Sequence, residues 1–256
     1  MALLLIVVLV GNYFALKYTT IITRSLGHTT TKVVTTGEDE GDSDYFTSDF
    51  DSHEELVAHQ KEFSKQLVAE GVVLMKNNDR VLPMESNQKI TLFGIGTAKF
   101  LYGGGGSGAI DTTNVLSLKD ALEAEGFEVN PEIWAMYEKS ENRVGEEIPV
   151  EDYTSAVQES VKEYNDAAIV VISRAAHEAQ DLEKEHLELS DEEMRMMRFA
   201  DENFEDIVVL LNTANPIELG WADAELFKNI KGIMWTGYPG QEGISSIAKT
   251  ITGEFN

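Results

Sequence analysis

Two segments of this chain, AAIVVIS (Ala167–Ser173) and DIVVLLN (Asp206–Asn212), are almost unbroken runs of apolar, largely β-branched side chains. A strand with one wet face alternates apolar and polar residues. A strand apolar throughout is covered on both faces, as in a parallel sheet flanked by helices. These two runs therefore select an α/β fold: an open, mostly parallel sheet sandwiched between helices.

The surrounding pattern agrees. Strand signals recur at Val72–Met75, Ile90–Gly94 and Gly232–Trp235, and helical spacing at Leu116–Glu125, Thr154–Glu163, Glu192–Asn203 and Glu242–Ile251. Two S-x-x-E capping boxes, Ser52 with Glu55 and Ser190 with Glu193, mark helix starts. The first predicts a helix reaching about Glu70. No internal repeat is visible.

The chain begins differently. Residues 2–16, ALLLIVVLVGNYFAL, are an apolar run of 15, short of the roughly 20 that cross a bilayer. The run reads as a signal or membrane anchor over residues 1–22, followed by an acidic linker over 23–50 containing GEDEGDSD. A buried strand is the other reading. An anchor would make the protein exported or membrane-anchored, although the basic residues Lys17, Arg24 and Lys32 follow the run and favour the opposite orientation.

Formal net charge is −25, from 45 acidic and 20 basic residues. Residues 1–36 hold no acid, so the negative charge lies wholly in the remainder. Such a body repels nucleic-acid phosphates and suits a neutral or cationic ligand, or it serves solubility alone. Without cysteine there are no disulfides or thiolate metal sites. The histidines do not cluster; His53 and His59 are set to different faces of one helix, against a metal site.

Open parallel sheets bind ligands beyond the carboxyl ends of their strands. The segments to inspect there are LFGIGTAKFLYGGGGSG (Leu92–Gly108), the residues after Ser173, Asn212–Ile217, and GYPGQEG (Gly237–Gly243). In the first, Lys99 stands where a dinucleotide fingerprint needs its third glycine. Gly108 is followed by Ala109-Ile110 rather than the Lys-Ser/Thr of a P-loop. With neither phosphate motif complete, the glycines favour a non-phosphate ligand or a simple turn of the chain over a phosphate cradle.

Taken in order, AEGVVLMKNNDRVLPM (Ala69–Met84), KITLFGIGTAKFLYGGGGSG (Lys89–Gly108), Ser117–Leu122, GFEVNP (Gly126–Pro131), VVLLNTANPIELGW (Val208–Trp221) and GIMWTGYPGQEG (Gly232–Gly243) resemble the α/β-sandwich domain of family 3 glycoside hydrolases, the β-glucosidase and β-xylosidase group. The resemblance spans roughly residues 45–256. It implies that residues 51–256 are this domain, usually C-terminal but here in a reversed, N-terminal placement. A (β/α)8 barrel absent from this chain would supply the aspartate nucleophile, and a β-linked glucoside or oligosaccharide would be the substrate, with no cofactor and no metal. Ser48-Asp49-Phe50 is similar to the nucleophile stretch of that barrel, but it lies before the first helix and reads as a lead-in to the cap.

The resemblance also implies site residues. The loop that often carries the acid/base reads S/G-G-E-G-x-D in many members; Glu178 and Asp181 match its acids, while His177 and Ala179 replace its glycines. Glu178 is the candidate acid/base, the other reading being one surface acid among many. Gly105, Gly106, Ser107 and Asp181 are candidate sugar contacts, a wall without side chains letting a pyranose reach main-chain groups. Arg174 reads as a partner for a carboxylate or as a side chain snorkelling at the sheet edge. Tyr238, Gln241 and Glu242 read as sugar contacts or as a turn before a helix, and Trp221 and Trp235 as core. Beside the glycosidase reading stand a non-catalytic carbohydrate-binding or partner-docking domain and a doubly wound nucleotide or receiver-like domain.

Overall fold

The computed structural model describes residues 1–26, 48–177, 183–222 and 225–255. They fall into two compact units, Met1–Asp51 and Ser52–Asn256.

In the first unit, α1 (Ala2–Lys17) and α2 (Thr19–Ser25) are helical, and the large apolar side chains of α1 are exposed. No single helix among the described residues is long and apolar enough to cross a membrane. Taken together, α1 and α2 pass that test of length and composition, with a bend of 77° between them.

The second unit is built on six strands: β1 (Val73–Asn77), β2 (Lys89–Phe93), β3 (Glu128–Val129), β4 (Ala167–Arg174), β5 (Ile207–Thr213) and β6 (Ile230–Trp235). Their order across the sheet is β1-β6-β5-β4-β2-β3; all neighbours are parallel except β1, which runs antiparallel to β6. The α/β class with a mostly parallel sheet is therefore what the chain forms. β4 and β5 lie at the centre and are buried at every position, the burial that their unbroken apolar runs require.

Seven helices complete the described part of this unit: α3 (His53–Gly71), α4 (Ile95–Ala98), α5 (Leu118–Ala124), α6 (Pro131–Lys139), α7 (Ser155–Glu163), α8 (Asp191–Asn203) and α9 (Ile244–Thr252). Alternate residues of β4 enter two separate cores. Ala168, Val170 and Ile172 join Ile133 of α6, Val157 and Val161 of α7, and Met196, Met197 and Ala200 of α8. Ala167, Ile169 and Val171 join Leu118 and Leu122 of α5 and Ile244, Ile247 and Ile251 of α9. This period of two places a helical layer on each face. α3 packs on α9, where Ser246 Oγ donates to Lys65 O at 2.8 Å.

Helix starts follow the caps. Ser52 Oγ accepts the Glu55 N–H at 3.1 Å, and Ser190 with Glu193 forms the complete reciprocal box. Three elements were not expected from the sequence. α6 has Asn130 as its N-cap and Pro131 inside its first turn, the position proline favours in a helix. α4 is a single turn inside the glycine-rich segment, and β3 is only two residues long.

Candidate functional site

Because β2, β4, β5 and β6 are parallel, their carboxyl ends share one edge of the sheet, and the four segments singled out in the sequence leave from it. Each is tied to the next. Asn212, at the end of β5, is fully buried and uses both ends of its amide. Its Oδ1 accepts from Leu101 N–H at 2.8 Å and from the Ser173 hydroxyl at 2.9 Å; its Nδ2 donates to Leu101 O at 2.9 Å and to Gly237 O at 2.7 Å. One side chain thereby joins the exits of β2, β4 and β6, with four of the bonds an amide can make.

The glycines serve different ends. Gly94 has φ +96°, and a Cβ there would stand 2.5 Å from Val171 O. Its lack of a side chain lets the end of β2 close against β4, which is a packing role. Gly105 is different. Its backbone is extended, φ −83° and ψ 170°, open to any residue, yet a Cβ would overlap the imidazole of His177. Its N–H donates to Ala176 O at 3.4 Å. The glycine loop and the exit of β4 thus lie against each other, main chain to main chain. Gly106 and Ser107 are exposed on the single 3-10 turn Gly106–Gly108. Glu178 and Asp181 lie outside the described residues.

The foundations of the β4 exit are polar and buried. Arg174 closes β4 as a buried partner of Glu193 and donates to Ser173 O, His186 O and Glu188 O at 2.8–3.0 Å. It is paired and does not snorkel. Glu147, which sequence reading passed over, sits under the glycine segment: Oε2 accepts Ile95 N–H and Oε1 accepts Ile148 N–H, both at 2.9 Å. Burial pushes its carboxyl up to about 7, against the lowering pull of those two N–H groups and the Tyr137 phenol. Tyr137 in turn shares a 2.8 Å hydrogen bond with Tyr153.

In the β6 loop, Gln241 Nε2 donates to Asp111 O at 2.7 Å and Glu242 pairs with Lys61 at 2.8 Å. Both hold the loop to its neighbours ahead of α9. Trp221 is buried, and Trp235 packs on the core with its Nε1 donating to Thr213 O at 2.8 Å.

Comparison with known proteins gives a family. Residues 72–256 match the Glycosyl hydrolase family 3 C-terminal domain. Among curated relatives, β-glucosidase A of Butyrivibrio fibrisolvens is 26% identical over 243 residues, which cover 79% of this chain and 28% of that protein. A β-glucosidase of Ruminococcus albus is 29% identical over 210 residues, covering 75% and 21%. Among solved structures, β-glucosidase 3B of Thermotoga neapolitana in complex with glycerol superposes with a TM-score of 0.66 at 29% identity, covering 78% of this chain and 30% of that one. This chain therefore spans about a quarter of the length of the relatives it matches. It belongs to glycosyl hydrolase family 3, and residues 72–256, which carry the six-stranded sheet, are that family's C-terminal domain.

Proposed function

We propose that this chain is part of a retaining β-glycosidase that hydrolyses β-linked sugars from the non-reducing end, and that its sheet unit contributes the acid/base and one wall of the sugar pocket. The observation that carries the reading is the contact between Gly105 and the β4 exit: an open glycine backbone lies against the peptide of Ala176, two residues before Glu178. The β-glucosidase names of the relatives indicate the substrate class.

In this reading Glu178 protonates the glycosidic oxygen while a carboxylate from the (β/α)8 barrel of the complete protein attacks the anomeric carbon. The bond to the leaving group breaks and a glycosyl ester forms. Glu178, now ionised, takes a proton from water as the water oxygen attacks the same carbon, releasing sugar and nucleophile. Such a pair of carboxyl groups stands about 5–5.5 Å apart, and acid assistance contributes roughly 10²–10⁴ in rate. The main-chain groups around Gly105 and Gly106, with Ser107 and Asp181, contact sugar hydroxyls. No metal or cofactor takes part in these steps. The apolar unit at the N-terminus serves as an export signal or anchor, with residues 23–50 linking it to the enzyme outside the cytoplasm.

The test is to read the coding DNA on both sides of this segment and to assay the chain alone. A frame continuing into a barrel with a Ser/Thr-Asp-Trp/Tyr stretch, together with no turnover of p-nitrophenyl β-glucoside by the isolated chain, supports the reading. Turnover by the isolated chain that is abolished in Glu178→Gln contradicts the two-part site. Glucose-dependent stabilisation that is unaltered by Glu178→Gln favours a binding domain instead.

A further inference from the structure

The ladder between β4 and β5 ends at the pair Arg174–Thr213. Beyond it the chain leaves the sheet, and the peptide groups next in line are met by a side chain from another loop. Tyr238 donates its hydroxyl hydrogen to Arg174 O at 2.6 Å, and the Tyr238 hydroxyl oxygen accepts the Ala176 N–H at 3.1 Å. A phenol carries one hydrogen and free lone pairs, so it can satisfy a carbonyl and an N–H two residues apart on one strand. An adjacent strand would make the same two bonds.

Tyr238 is itself held from both sides. Gly237 O, one residue before it, accepts from Asn212 Nδ2, and Gly240 N–H, two residues after it, donates to Tyr102 O at 2.8 Å. The anchor and the anchored segment are therefore fixed to the same sheet edge. Ala176, whose N–H is bound by Tyr238, offers its carbonyl to Gly105 N–H at 3.4 Å. One peptide run is gripped by the phenol on one side and by the glycine loop on the other.

We propose that Tyr238 is the positioning residue of the β4 exit: it continues the pairing of β4 by two residues and holds the peptide preceding His177 and Glu178 against the glycine loop. Its hydroxyl is committed to the backbone rather than to a sugar, a third role beside the sugar contact and the simple turn that its sequence context suggests. The inference rests on the proposed acid/base function only for what this positioning accomplishes.

The test is amide hydrogen exchange in the 256-residue chain and its Tyr238→Phe variant, which loses one oxygen atom and keeps the ring. Loss of both bonds is expected to speed exchange at Ala176 and Gly105 by about tenfold while Val170, inside β4, is unchanged. Unchanged exchange at Ala176, or equal acceleration throughout β4 and β5, overturns the inference; the second result would mean a merely structural tyrosine. In the complete enzyme the same variant is expected to lower kcat with KM retained, and a rise in KM with kcat retained would also overturn it, marking a sugar contact. The reading of Glu178 stands or falls separately. If Glu178→Gln leaves the rate on poor leaving groups intact, that reading fails while the exchange result for Tyr238 is untouched.

Discussion

Arg174 and Glu193 meet as a two-pronged ion pair, Nη1 to Oε1 at 2.7 Å and Nη2 to Oε2 at 2.8 Å, with both side chains almost wholly buried. Glu193 Oε2 also accepts the Ser190 N–H at 2.8 Å, so the carboxylate that caps α8 is the counter-ion of the residue that ends β4. The guanidinium spans from Ser173 O to the carbonyls of His186 and Glu188, tying the exit of β4 to the chain returning toward α8. Planar, forked geometry is what permits this, and a lysine could not reproduce it.

Removing one partner strands the other charge inside the protein. Glu193→Ala is expected to cost about 3–5 kcal/mol in urea unfolding, well above the roughly 1 kcal/mol of a lost cap alone. A loss no larger than that of a cap would show that the pair contributes little.

Glu147 predicts a dependence on pH. Burial holds its carboxyl up to about 7, above its ordinary 4.5. As pH rises between these values the unfolded chain loses this proton first, so stability from this group is greatest in acid and falls until about pH 7. The full effect is about 3 kcal/mol. Wild type should therefore lose stability relative to Glu147→Gln between pH 4.5 and 7.5, measured by urea unfolding at several pH values. Two parallel curves would remove Glu147 from the account.

Gly105 and His177 should be coupled. With φ −83° the backbone suits alanine, so the obstacle to Gly105→Ala is the imidazole alone. In wild type the substitution should displace His177 and destabilise. In a His177→Gly background it should be neutral or stabilising by about 0.4–1 kcal/mol, through the unfolded chain's lost freedom. A double-mutant cycle in chemical denaturation measures this, and additive single effects would show that the two residues do not touch in solution.

What could be read from the sequence was what local pattern encodes. Ala167–Ser173 and Asp206–Asn212 announced central strands because burial on both faces leaves a continuous apolar signature, and Ser190 with Glu193 announced α8 because both cap bonds lie within three residues. α6 escaped because Asn130-Pro131 signals a helix start as well as a break. The supports of the site escaped for another reason: their partners are remote. Glu147 binds Ile95 from 52 positions away, Asn212 binds Leu101 from 111, and Tyr238 binds Arg174 from 64. No spacing rule reaches that far. Gln241 and Glu242 resolved into loop ties for the same reason, their partners Asp111 and Lys61 being distant in the chain.

The proposed role of Glu178, donating a proton to the leaving group of a β-glycoside, is tested most directly by leaving-group dependence in a protein that joins this chain to its barrel. Glu178→Gln should lower kcat/KM for an alkyl β-glucoside by roughly 10²–10⁴ and leave 2,4-dinitrophenyl β-glucoside, whose phenolate departs unaided, nearly unaffected at the bond-breaking step. Equal losses on the two substrates, or none on either, would contradict the assignment and place the acid elsewhere in the protein.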